Sequence, residues 1–143
     1  MIEVLNDIEA DQALINRQID GLVATLYENE KPLSGLAGFL DWRFHGAISE
    51  CLRSGALTGQ VGECVYFPVS KSGQVYKLIL AGAGKAPAPG QRTNPPAETL
   101  KTLAKNLTGL KLNSIGISRK DFGNPSEDFL SKNLRGISLR VTL

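Results

Sequence analysis

The sequence predicts a three-layer α/β/α domain built on a mixed, mostly parallel β-sheet. Short apolar runs of strand composition alternate with segments of helical periodicity, a pattern that calls for crossovers between parallel strands covered on both faces. One pair of runs, Cys64 to Val69 and Val75 to Ala81, is separated only by the turn Ser70 to Gln74, so these two pair as an antiparallel hairpin. The chain has 143 residues, 42% apolar and 21% charged. At that length roughly two-thirds of the unfolded surface can be buried, so residues 1–143 are expected to form one domain with its own core.

Ile2 to Leu5 opens the sheet, and Asp7 is placed to cap a short helix from Ile8 to Asn16. Gly21 to Tyr27 has the β-branched and aromatic content of a strand and runs into the polar turn Glu28 to Pro32. From Ser34 to Arg53, Leu36, Phe39, Leu40, Phe44, Ala47, Ile48, Cys51 and Leu52 recur at steps of three and four, the mark of one apolar helical face. Gly35, Gly38 and Gly46 weaken that helix, so a break near Trp42 to His45 into two shorter helices is expected at least as readily as one continuous rod, with Gly55 as the stop. Pro68 marks a point of the hairpin where no amide is needed in a ladder.

After a Pro/Gly-rich loop at residues 86–96, Ala97 to Leu107 reads as a helix with Leu100, Leu103, Ala104 and Leu107 inward and Thr93 or Asn94 as its cap. Ser114 to Ser118 is the next strand. Ser126 to Leu134 is a short capped helix with Phe129 and Leu130 on its apolar side. Gly136 to Leu143 closes the chain as an alternating strand, with Ile137, Leu139, Val141 and Leu143 on one face.

The net charge of +2 hides a gradient, because residues 1–50 carry nine acids and three bases while residues 101–143 carry three acids and eight bases. Those bases are spread along the segment, as a solvated surface would be, so nucleic acid is a lesser candidate partner. Cys51 and Cys64 form no C-x-x-C pair and read as small apolar residues, not as a disulfide framework or zinc ligands. The first residues lack the basic and apolar regions of a secretory signal, and no run approaches the ~20 apolar residues of a membrane span. A cytoplasmic protein with no membrane partner, no metal and no cofactor is expected.

The most suggestive local feature is Gly82-Ala-Gly-Lys85 at the end of a strand. Glycines permit close backbone approach and a lysine can meet an anion, which makes Gly82, Gly84 and Lys85 the candidate ligand-binding residues. The segment lacks the spacing of a phosphate-binding G-x-x-x-x-G-K-[S/T] loop, and a tight exit from a buried strand explains the same glycines. His45, the only histidine, cannot build a usual zinc site alone. Glu3, Asp7, Glu9, Asp11 and Asp20 read as a solvated face, and Trp42 with Phe39 and Phe44 as core packing. No catalytic residue is assigned.

Three runs go beyond generic patterning: Pro32-Leu-Ser-Gly-Leu-Ala-Gly-Phe-Leu-Asp41, Gly59-Gln-Val-Gly-Glu63 and Leu78-Ile-Leu-Ala-Gly-Ala-Gly-Lys85. Their order and spacing resemble the N-terminal domain of the leucine aminopeptidase (cytosol aminopeptidase) family, with its P-L-x-G-x-A-x-x-L-D helix start, G-x-x-G-E turn and strand ending in G-L-G-K. Ala83 departs from the leucine of the last motif. The resemblance implies a macro-domain-like fold and a place in the periphery of hexamers. It also implies that peptidase chemistry belongs to a separate domain with a two-metal site and an N-T-D-A-E-G-R-L motif. That motif does not occur in this sequence.

The expected function is therefore non-catalytic: protein–protein assembly or regulation, through a protein partner or self-association. The alternatives are a macro-type module for ADP-ribose or a related nucleotide, resting on Gly82, Gly84 and Lys85, and a DNA-binding accessory protein resting on the basic last third.

Overall fold

The apolar runs become six strands, β1 (Ile2–Leu5), β2 (Gly21–Leu26), β3 (Cys64–Lys71), β4 (Gln74–Gly82), β5 (Ser114–Ser118) and β6 (Ser138–Thr142). The periodic segments become α1 (Gly35–Arg43), α2 (Ala47–Ser54), α3 (Ala97–Gly109) and α4 (Glu127–Asn133), with a 3-10 turn at Arg119–Phe122. The computed structural model describes residues 2–5, 12–13, 16, 18–30, 32–71, 73–88, 95–112, 114–122, 127–134 and 138–142. Among these the strands form one sheet in the order β1-β6-β5-β2-β4-β3. Every neighbouring pair is parallel except β3 with β4, the expected hairpin. Pro68 sits on β3 at the edge of the sheet, opposite Lys77, where a missing amide costs least.

Successive side chains of a strand point to opposite faces, and the two central strands use both. Leu22, Ala24 and Leu26 of β2 join Leu78 and Leu80 of β4 in a core with Leu36, Ala37 and Leu40 of α1 and Ile48 of α2. Val23 and Ile79 point the other way, into a second core with Leu100, Leu103 and Leu107 of α3, Ile115 and Ile117 of β5 and Leu130 of α4. Helices thus cover both faces, and the α/β/α reading of the sequence holds.

The helix from Ser34 to Arg53 breaks where the glycines suggested. His45 and Gly46 both take left-handed backbone, with φ of 57° and 81°, which an α-helix cannot absorb. Gly55, at φ 81°, ends α2. Trp42 does not pack in the core with Phe44: it is 76% exposed while Phe44 is 6% exposed. The reason is angular. Leu36, Leu40 and Phe44 lie four residues apart on the inward stripe, and Trp42, two residues past Leu40, lies about 200° around the axis from it.

The start of α3 also differs from expectation. Pro96, not Thr93 or Asn94, occupies the capping position, with the Leu100 amide donating to its carbonyl at 3.2 Å. Thr93, Asn94, Asp7 and Ser126 lie outside the described residues, as does the facing of Ile137, Leu139, Val141 and Leu143. Of the helix expected from Ile8 to Asn16, Gln12 and Ala13 are helical and the Asn16 amide donates to the Gln12 carbonyl at 2.8 Å.

Candidate functional site

Gly82, Gly84 and Lys85 lie where β4 leaves the carboxyl edge of the parallel sheet, the edge at which open α/β sheets take their ligands. The glycines are there because backbone meets backbone. A Cβ on Gly82 would stand 2.0 Å from the Gln60 carbonyl oxygen, far inside contact distance. One on Gly84, whose φ is +80°, would stand 2.9 Å from the Val61 side chain. The amides of this exit are engaged by the protein itself. Gly82 N–H donates to the Glu63 carbonyl, Ala83 N–H to Leu26 and Gly84 N–H to Gly59, each at 2.8 Å. Lys85 is exposed, and the Ala86 amide beyond it donates to the Asn29 side chain at 3.0 Å.

The three sequence motifs meet here or nearby, and each has a task in the fold. In the Gly59 to Glu63 turn, the Glu63 carboxylate gathers the Thr58 amide at 3.0 Å, the Thr58 hydroxyl at 2.9 Å and the Gly59 amide at 2.8 Å. Gly59 lets the turn press on Tyr27 and Glu28 at the end of β2, where a Cβ would come within 2.9 Å of backbone. In the α1 motif, Gly38 passes the Leu33 carbonyl so closely that a Cβ would be 2.6 Å from its oxygen. Asp41, the last residue of that motif, reaches across the helix break and accepts the Ser49 amide at 2.9 Å and the Ser49 hydroxyl at 2.5 Å, capping the first turn of α2.

On the other side of β2 the structure assembles residues that sequence reasoning missed. β2 pairs with β5 only as far as Val23 with Ile117, while it continues beside β4 to Leu26 and Gly82. The chain after β2 goes to α1 on one face, and the chain after β5 goes to α4 on the other, so a crevice opens between the two strand ends. Asp121 fills it, fully buried. Its Oδ1 accepts the Leu36 amide in the first turn of α1 at 3.3 Å, and its Oδ2 accepts the Thr25 amide at 3.5 Å. The Thr25 hydroxyl donates to the Asp121 carbonyl at 3.4 Å. Arg119, two residues earlier, has a buried Nε with no hydrogen-bond partner. In sequence, the one hint was an acid wedged between a buried strand and an apolar residue, Phe122.

The remaining candidates stay apart. Burial pushes the Cys64 thiol up to about 11, so it stays protonated near neutral pH and is a poor nucleophile. Cys51 packs against the core on the opposite face. His45 is exposed in its left-handed turn. Among the described residues no three His, Cys, Asp or Glu side chains gather as metal ligands, and no helix is long and apolar enough to cross a membrane. A shallow pocket of about 220 Å³ lies between Glu30, Pro32 and Leu33 and the α2 residues Ser49, Leu52 and Arg53. An open groove runs along α3 past Lys101 and Lys105.

Comparison with known proteins places these motifs. Residues 22–139 match the model of the cytosol aminopeptidase family, N-terminal domain. The chain belongs to that family. A probable cytosol aminopeptidase of Trichormus variabilis is 33% identical over 79 residues, which are 55% of this chain and 16% of the relative. One of Nostoc punctiforme is 30% identical over the same length. The chain thus aligns with about a sixth of these aminopeptidases. Among solved structures, the fold is similar to the macrodomain of Thermus aquaticus DarG, with TM-score 0.66, 17% identity, and 100% of this chain and 98% of that one covered. It is also similar to the macrodomain of Mycobacterium tuberculosis DarG, at TM-score 0.65 and 15% identity over 99% and 97% of the two chains. A tomato leucine aminopeptidase mutant superposes with TM-score 0.59 and 14% identity, covering 99% of this chain and 32% of its own. The fold of this chain is therefore macrodomain-like, and two of the three motifs, Gly59 to Glu63 and Leu78 to Lys85, close its strand ends.

Proposed function

We propose that this chain serves the cytosol aminopeptidase family as a non-catalytic, protein-contacting module in assembly or regulation, in the compartment its family name gives. The observation that carries this reading is Trp42. It stands 76% exposed on the outer face of α1, its ring centroid 6.3 Å from that of half-buried Phe39. Covering a side chain of that size contributes about 2–3 kcal/mol, and tryptophan is over-represented among residues that dominate protein interfaces. The occupant proposed is a second copy of this domain.

Trp42 is the only tryptophan of the chain, so its fluorescence reports this face alone. As protein concentration rises, the emission is expected to shift to the blue in step with a rise in mass by light scattering, and Trp42→Ser is expected to remain monomeric. Emission that stays at the solvent-exposed wavelength while the mass stays monomeric removes self-association through α1.

A nucleotide module is the second reading, supported by the macrodomain likeness and by exposed Lys85. It ranks lower because the amides of Gly82, Ala83 and Gly84 already serve the fold. DNA binding ranks third, supported by Lys101 and Lys105 along the α3 groove.

A further inference from the structure

We infer that Asp121 is a built-in occupant of the crevice between β2 and β5, a carboxylate of the chain itself in the place where this topology would take an anionic ligand. A helix N-terminus carries unsatisfied amides and a partial positive charge, and beside the carboxyl ends of parallel strands it attracts phosphates and carboxylates. In this chain that demand is met internally. The two oxygens of Asp121 take one amide from the first turn of α1, Leu36, and one from β2, Thr25, which lies beyond the last β2–β5 pair. The side chain is wholly buried, and Phe122, wholly buried beside it, ties the turn to the core. Asp121 cannot leave without drawing on that anchor.

An incoming anion would have to dislodge this turn or lie against a buried negative charge. The crevice is therefore closed to phosphates in the native chain, whatever partner Trp42 meets.

The test is a titration with inorganic pyrophosphate followed by ¹⁵N NMR, at constant ionic strength, reading the amides of Thr25 and Leu36. In the native chain neither amide is expected to move in a saturable way. In Asp121→Ser, which removes the charge and leaves space, both are expected to shift with an affinity tighter by about tenfold or more. A saturable response of these amides in the native chain overturns the inference. So does a folded Asp121→Ser that gains no binding. Should the serine variant not fold, Asp121→Ala, which likewise removes the charge and leaves space, is read in the same way. If that too fails to fold, the native titration decides alone, its silence supporting the inference and its response sinking it.

Discussion

Between β2 and β4 the carboxyl edge of the sheet is closed by backbone against backbone, Gly82 on Gln60 and Gly59 on Tyr27, with neighbouring amides donating to carbonyls at 2.8 Å. Between β2 and β5, among the described residues, the side chain of Asp121 closes it, at 3.3 Å from the Leu36 amide and 3.5 Å from the Thr25 amide. In the first closure a Cβ on Gly82 has no room, and the amides of Gly82, Ala83 and Gly84 are all taken by carbonyls. The second is polar, and its contacts can be removed by changing a few atoms. A strand end can therefore be sealed in two ways, and only the second leaves a site that substitution could expose.

Gly82→Ala attacks the first closure and should have the largest effect. Its Cβ would lie 2.0 Å from a carbonyl oxygen in a turn held by hydrogen bonds, so a loss of about 3 kcal/mol or more is expected in denaturant unfolding. A loss below ~1 kcal/mol would mean that the turn yields, and that the contrast between the two sides is weaker than the geometry suggests.

Asp121→Asn attacks the second. The amide group keeps the volume but turns a donor toward one of the two backbone N–H groups and drops the charge facing the α1 terminus. About 2 kcal/mol should be lost, with faster hydrogen exchange at Leu36 than at amides elsewhere in α1. Uniformly faster exchange across the protein would instead make Asp121 a general core support.

Glu63→Gln gives the smallest effect, about 1 kcal/mol in thermal unfolding, because the turn it gathers is largely exposed and water can replace a lost partner. A loss equal to that of Gly82→Ala would show that the carboxylate, not the glycine contact, sets the position of the turn.

The two closures also differ in how well they could be read. Gly59, Gly82 and Gly84 stand out in sequence because glycine at a strand exit narrows the choices, and their spacing with Glu63 is part of the resemblance to the family. What sequence could not supply was their contacts: in the fold the amides of Gly82 and Gly84 reach the carbonyls of residues 63 and 59. Asp41 lies eight residues from its partner Ser49, within reach of local reasoning about helix starts. Asp121 lies 96 residues from Thr25 and 85 from Leu36, so no local pattern connects it to them.

By itself the sequence determined the order of the six strands, a weak point in the helical segment before Ala47, the antiparallel hairpin and the family. These depend on periodicity, on glycine and proline backbone preferences and on short motifs, all of which act over a few residues. The tertiary structure alone decided that Trp42 faces water, that the glycine amides are engaged and that Asp121 fills the crevice. Those outcomes depend on where β5 stops pairing with β2 and which way α1 turns its stripe, and they arise only when segments distant in the chain are packed together.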